Sequence, residues 1–138
     1  MKSRWLVLVM TLFLPAGCSD NSGPTAPTAH RLDKPFSLGV GEQARILPEN
    51  LEVGFDTVSA DYRCPVDVVC VWAGDADVLL WLARLPNPAH SFLIRPYQPN
   101  EQSVLGYRVK LLELNPPRRS NVRLDPREYT VKIVVSRL

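Results

Sequence analysis

The chain has 138 residues, of which 46% are hydrophobic and 22% are charged, and its formal net charge is +2. This composition is typical of ordinary globular proteins. Two of the positive charges, Lys2 and Arg4, stand at the very start, so the remainder is neutral and lacks the charge of a general nucleic-acid or polyanion binder.

The first 17 residues have the three parts of an export signal. A basic start, Lys2 and Arg4, is followed by an almost wholly apolar stretch, residues 5–14, and then by two small residues directly before Cys18. Ten residues rise about 15 Å as a helix, half of the ~30 Å hydrocarbon core of a bilayer, so we do not expect a permanent transmembrane helix. The pattern therefore predicts a signal peptide, residues 1–17.

The cleavage site, residues 14–18 (LPAGC), resembles the lipobox of bacterial lipoproteins. Pro15 takes the place at which that family favours a branched aliphatic residue, and the following residues match. The resemblance implies that Cys18 is lipidated and becomes the first residue of the mature chain. Ser19, by the same resemblance, implies sorting to the outer membrane if the cell is Gram-negative. We therefore expect a lipid-anchored protein of the cell envelope that faces the periplasm or the exterior.

A spacer is predicted between the lipidated Cys18 and the folded part of the chain. Residues 18–35 are rich in Ser, Thr, Pro, Ala and Gly and have no apolar period. A segment of this composition does not bury a core, so it is expected to be a flexible tether. His30 lies within it and is expected to be solvated.

The remaining residues, 36–138, have the pattern of short β-strands. Leu51, Val53 and Phe55 alternate with polar or small residues, and residues 129–135 repeat the alternation. Prolines at high density interrupt these runs and rule out long helices. Further strands are predicted over residues 36–40, 44–47, 78–85, 91–95 and 107–114. We predict one all-β domain, an immunoglobulin-like sandwich of about seven strands.

The cysteines support export. Three cysteines are an odd number for an exported chain until Cys18 is assigned to lipid. Cys64 and Cys70 remain, and in an oxidising compartment we expect a short-range disulfide between them. A two-cysteine metal site or a redox pair is the alternative. Trp72 follows closely, and we expect it to pack over the disulfide as core tryptophans do in sandwich domains.

The most specific segment is residues 61–78, DYRCPVDVVCVWAGDADV. It resembles the D-x-R-C-P-x-x-x-x-C-x-W-A-G-x-A-x-V stretch of a group of small bacterial secreted proteins and lipoproteins of unassigned function. The resemblance covers most of the domain, including the strands that contain Tyr107 and Tyr129. It implies a fold and a compartment and carries no activity. Residues 124–129, LDPREY, resemble the tyrosine corner of sandwich domains.

Four aspartates flank the predicted disulfide: Asp61, Asp67, Asp75 and Asp77. Asp75 and Asp77 would project from one face of a strand, as two carboxylates that bind Ca²⁺ do, but the spacing of an EF-hand is not present. Solvated or arginine-paired aspartates are the preferred interpretation, with Arg63 the expected partner of Asp61. We assign no metal ligand and no cofactor.

Nucleophilic catalysis has little support in the sequence. There is no Gly-x-Ser-x-Gly motif, two cysteines are expected in a disulfide, and the one histidine of the predicted domain, His90, is expected on the surface in a turn. We assign no catalytic residue.

A loop before the last predicted strand carries four arginines among three prolines: Arg118, Arg119, Arg123 and Arg127, with Asp125 the only acid. Arginine forks suit carboxylate and phosphate, and a stiff loop loses less entropy on binding. We predict a binding patch for an acidic partner, such as lipid headgroups or an acidic protein face. A solvated loop is the alternative.

Two functional hypotheses follow. The first is a non-catalytic binding domain on a lipid tether, whose partners are the membrane and an acidic envelope component or an exported protein, with no nucleic acid. The alternative is a hydrolase or metal-dependent envelope enzyme with a site built from dispersed acidic residues.

Overall fold

In the computed structural model, residues 26–138 are described, and the predicted signal peptide and Cys18 lie outside them. Within this range no helix is long and apolar enough to cross a bilayer. The described chain forms nine strands and one turn of 3-10 helix. These are β1 (Thr28–Arg31), β2 (Phe36–Gly39), β3 (Gln43–Leu47), β4 (Leu51–Asp61), β5 (Ala76–Arg84), β6 (His90–Ile94), β7 (Glu101–Val104), β8 (Tyr107–Asn115), the 3-10 turn (Pro126–Glu128) and β9 (Thr130–Arg137).

The strands form two sheets that pack face to face. The five-stranded sheet has the order β1-β3-β4-β5-β6, and the four-stranded sheet has the order β2-β9-β8-β7. Neighbouring strands are antiparallel except β1 and β3, which are parallel. The predicted all-β, immunoglobulin-like sandwich with one short-range disulfide is confirmed, with nine strands rather than seven. Alternation does not predict β7, because its residues EQSV are mostly polar and exposed.

The core lies between the sheets and is built from the apolar residues of the alternating runs. Leu51, Val53 and Phe55 of β4 are fully buried, as are the apolar residues of β9 at every second position from Val131 to Val135. Burying a side chain of this size contributes roughly 1.5–3 kcal/mol. The period of two therefore identifies both the strands and the faces that they turn inward.

The spacer prediction is wrong for residues 28–31, which form β1. This strand pairs in parallel with β3, and the His30 ring stacks on Phe36 with ring centroids 4.3 Å apart. His30 is accordingly half-buried rather than solvated. Composition misses β1 because an edge strand joins a sheet through backbone hydrogen bonds, which do not require apolar side chains.

The two ends of the sandwich differ. At one end β4 and β8 finish and β5 and β9 begin, and we call this the disulfide end because the Cys64–Cys70 loop connects β4 to β5. Strand β3 runs antiparallel to β4, and β1 runs parallel to β3. The chain therefore enters β1 from the side of the disulfide end and runs away from it.

The role of β1 predicts the effect of a truncation. A chain that begins at residue 34 should keep a β-type circular dichroism spectrum but unfold about 1–2 kcal/mol more easily than one that begins at residue 26, since it lacks the edge pairing and the aromatic contact of His30 with Phe36. Urea denaturation of both chains measures the difference. Equal midpoints would mean that β1 adds nothing to the domain.

Candidate functional site

The disulfide loop, residues 62–75, continues the pairing of β4 and β5 beyond the ends of the strands. Tyr62 N donates to the Asp75 carbonyl over 2.9 Å, and Cys64 N donates to the Ala73 carbonyl over 2.7 Å. The predicted disulfide between Cys64 and Cys70 is present, with a Cα–Cα distance of 6.0 Å. Two backbone pairs and one covalent bond thus close the loop at its base.

A glycine shapes the base of this loop. Gly74 has φ +66°, and a Cβ at this position would lie 1.9 Å from the carbonyl oxygen of Tyr62. Only glycine fits a backbone that is both left-handed and this closely approached. The glycine of the W-A-G stretch is therefore a structural requirement of the loop.

A buried ion pair fastens the loop to the sandwich. Arg63 is 6% exposed, and its Nε and Nη2 donate to the two carboxylate oxygens of Asp61 over 2.9 and 2.8 Å. Its Nη1 and Nη2 also donate to the carbonyls of Leu114 and Pro116, at the end of β8, over 2.7 and 2.9 Å. The predicted pairing of Asp61 with Arg63 is confirmed, and the pair also joins the two sheets.

Tyr129 completes this buried cluster. Its hydroxyl donates to Asp61 Oδ2 over 2.9 Å, so the carboxylate is held from both sheets. Burial raises the pKa of Asp61, but the hydrogen bonds from Arg63 and Tyr129 and the charge of Arg63 outweigh it, and the pKa lies below its ordinary value. Burial and the same hydrogen bond raise the pKa of Tyr129 to about 12. The segment before β9 thus ends in a tyrosine bonded to a side-chain carboxylate.

The other aspartates of the motif also serve the scaffold. Asp75 lies one residue before β5, not on a strand face shared with Asp77, and it accepts hydrogen bonds from the backbone N–H groups of Ala76, Tyr97 and Gln98. Asp77 pairs with Arg95 over 2.7 Å. Within residues 26–138, no group of three or more His, Cys, Asp or Glu side chains is arranged to hold a metal ion.

Trp72 does not pack over the disulfide in the core, as the sequence led us to expect. It is 66% exposed and stacks on Tyr62, with ring centroids 6.2 Å apart. The reason is the position of the disulfide, which lies at the end of the sandwich rather than between the sheets. The inward side chains of the strands already fill the space between the sheets, so the indole lies at the surface.

The loop exposes a group of large apolar side chains, which we call the apolar tip. Val69 and Val71 are fully exposed, at 102% and 104% of their reference areas. The tip consists of Val66, Val68, Val69, Val71 and Trp72, and the exposed Tyr62 and Tyr97 lie at its base. A group of exposed large apolar side chains on one loop of a small domain is a candidate interaction site.

The arginine-rich loop, residues 116–127, is hydrogen-bonded to the disulfide loop that carries the apolar tip. The carbonyl of Arg118 accepts from Val66 N over 2.9 Å, and its guanidinium donates to the Arg63 carbonyl over 3.3 Å. Ser120 donates to Asp67 through its backbone N–H and its hydroxyl, over 2.9 and 2.6 Å. These bonds hold the pKa of Asp67 below its ordinary value. The two loops therefore form one surface.

The four predicted patch arginines have different environments. Arg127 is paired with Asp125 over 2.7 Å, and this pairing lowers the pKa of Asp125 to about 2. Arg118 is half-buried against the disulfide loop, whereas Arg119 and Arg123 are exposed and make no side-chain hydrogen bond or ion pair with any other residue between 26 and 138. The structure thus leaves Arg119 and Arg123 as the open cations of the loop.

Sequence reasoning missed the apolar tip. The available signal was the run of valines on both sides of Cys70, between two predicted strands and within a disulfide ring. The short disulfide ring prevents these valines from continuing a β-strand, so no neighbouring strand or facing sheet covers their side chains. Such side chains are expected at the surface. His90, also expected at the surface, is exposed, although it begins β6 rather than lying in a turn.

Comparisons with known proteins add no relative: no protein-family model, no curated protein and no solved structure matches this chain.

The buried pair predicts a large effect of one substitution. Asp61→Asn leaves the guanidinium of Arg63 buried without its counter-charge, and should lower the free energy of unfolding by about 3–5 kcal/mol. Glu101→Gln is the matched control, since Glu101 forms an exposed pair with Arg108 and its loss should cost about 0–1 kcal/mol. Urea denaturation measures both. Similar losses in the two variants would contradict a buried role for Asp61.

The lowered pKa of Asp61 predicts the acid limb of the stability profile. An unfolded aspartate titrates near pH ~3.9, so the contribution of Asp61 is complete above that pH and is lost as the pH falls through its lower pKa in the folded state. Asp61→Asn has no such proton to bind, so its unfolding free energy should fall less steeply over this range. Parallel acid limbs in the wild type and the variant, measured by denaturation at a series of pH values, would contradict this assignment.

Proposed function

We propose that this chain is a bacterial lipoprotein, anchored through Cys18, whose β domain is a non-catalytic binding module in the cell envelope. The observation that carries the proposal is the apolar tip, with Val69 and Val71 fully exposed on a loop that the rest of the fold holds in place. Arg119 and Arg123 beside it favour an acidic partner, either an envelope component or an exported protein.

The rigidity of the loop supports binding as its role. The disulfide, the Arg63 hydrogen bonds to two carbonyls of the other sheet, and the bonds between Ser120 and Asp67 restrain it at three points. A surface restrained before binding loses little conformational entropy when a partner arrives. Val69 and Val71 bury almost no area within the domain and so add little to its stability, which leaves both side chains available for contact with a partner.

The location remains part of the proposal. The leader, Cys18 and Ser19 favour a lipid-anchored protein of the envelope, in the outer membrane if the cell is Gram-negative. The alternative, a hydrolase or metal-dependent enzyme, needs carboxylates that are available for catalysis or metal binding. Asp61, Asp75 and Asp77 instead each accept hydrogen bonds from donors of the chain itself. A turnover abolished by a single Asp→Ala change would favour that alternative.

Binding to isolated envelopes tests the proposal. The mature chain with Cys18→Ser lacks the lipid, so its association with envelope vesicles reports the domain alone. Adding Val69→Ser and Val71→Ser should weaken association about ten-fold or more, because buried apolar contacts dominate interface affinity. The free energy of unfolding should change by less than about 0.5 kcal/mol, since both side chains are exposed.

Leu138→Ser is the control for this experiment. Leu138 is 64% exposed, much like Trp72, but it follows β9 at the end opposite the disulfide. Its substitution should leave association unchanged. Equal retention of the Val69/Val71 variant and the wild type on envelopes would exclude the apolar tip as the binding surface.

A further inference from the structure

The residue types of the apolar tip are those of a surface that enters the interfacial region of a bilayer. Val69 and Val71 project fully into solvent, and Trp72 is stacked on Tyr62 at the base of the loop. Trp and Tyr are enriched at the boundary between headgroups and acyl chains, where an apolar ring with a polar edge is favoured. Side chains exposed to this extent protrude rather than line a groove, and a fluid bilayer accommodates them without a preformed pocket.

The charge beside the tip has the sign that an anionic bilayer requires. Arg119 and Arg123 are exposed and make no ion pair within the described residues. Of the two acids of the disulfide loop, Asp75 is buried and bonded to backbone N–H groups, and Asp67 keeps its charge, which attracts Arg119, so the arginines outnumber the exposed carboxylate. Each basic residue near an anionic lipid surface strengthens binding by about five-fold, the factor that corresponds to ~1 kcal/mol. Apolar residues at the tip and cations beside it form the usual pattern of an interfacial membrane contact.

The path of the chain brings this end toward the predicted anchor. Thr28 is in register with Ala44, which is in register with Val53, and the chain enters β1 from the side of the disulfide end. From Val53 to Asp61, at the end of β4, is roughly 26 Å along the strand. The ten residues from Cys18 to Thr28 span at most about 33–36 Å. A lipid on Cys18 can therefore reach the level of Asp61, where the disulfide loop begins, and a fully extended tether brings it about 10 Å further, to the level of Cys64.

We infer that the apolar tip docks on the anionic surface of the membrane in which the chain itself is anchored. This inference rests on the proposed function and names its partner: a bilayer that contains anionic phospholipid. The lipid holds the protein at the membrane, and the tip sets its orientation, with Val69, Val71 and Trp72 at the level of the upper acyl chains and Arg119 and Arg123 at the headgroups.

Vesicle binding tests the lipid specificity. The mature chain with Cys18→Ser should sediment with vesicles of phosphatidylcholine and phosphatidylglycerol and bind vesicles of phosphatidylcholine alone much more weakly. Val69→Ser with Val71→Ser should weaken binding about ten-fold or more. Arg119→Gln with Arg123→Gln should weaken it about five-fold for each arginine and reduce its salt dependence. Leu138→Ser should have no effect.

Tryptophan quenching tests the orientation in the lipidated chain. The mature protein contains two tryptophans, Trp72 on the disulfide loop and Trp81 in β5, over Gly54. In vesicles with brominated acyl chains, the Trp81→Phe variant should be quenched, since it reports Trp72. The Trp72→Phe variant, which reports Trp81, should not be quenched. Absence of quenching at Trp72, or equal quenching of both, would overturn the inference.

The outcomes separate this inference from the proposed function. Binding to isolated envelopes with no binding to either lipid vesicle would mean that the tip recognises an envelope protein, so the inference would be wrong and the binding function would stand. No binding to envelopes or vesicles would contradict both. Palmitate labelling of the wild type and its loss in Cys18→Ser tests the anchor separately, because the vesicle assay does not require it.

Discussion

A guanidinium removed from water needs acceptors for its N–H groups, and in this protein the acceptors of Arg63 come from both sheets. Asp61 accepts two bonds, and the carbonyls of Leu114 and Pro116 accept two more. An uncompensated buried charge costs several kcal/mol, a large part of the stability of a domain this size. The folded state is therefore confined to arrangements in which β4, β8 and the disulfide loop meet at this one side chain.

The other features of the disulfide end depend on that cluster. Tyr129, directly before β9, bonds to Asp61, and the arginine-rich loop follows the end of β8, which Arg63 holds, and bonds to the disulfide loop. With the base fixed in this way, the loop does not need to bury its own side chains to be ordered. That is why valines that would otherwise be drawn into a core can stand exposed at its tip.

The central motif thus has two kinds of residue with different roles. Asp61, Arg63, Gly74 and Asp75 build the base of the loop through hydrogen bonds, a left-handed turn and close backbone contact. The residues between them form the surface that the loop presents. Binding modules are commonly built in this way, with rigid elements that position a loop whose exposed residues make the contact.

The sequence by itself determined the strands with clear alternation, such as β4 and β9, and their inward faces, because a period of two is a local property of the chain. It also predicted the disulfide, since the assignment of Cys18 to lipid leaves two cysteines and one pairing, and it predicted the pairing of Asp61 with Arg63, which are two residues apart. Only the tertiary structure decided what depends on residues far apart in the chain. The acceptors of Arg63 beyond Asp61 lie more than fifty residues away, and β1 is recognisable only by its neighbour β3. The type of Trp72 and its closeness to Cys70 predict a core residue, yet its side chain is exposed. The reason is that the disulfide lies at the end of the sandwich, and the side chains of the strands already fill the space between the sheets.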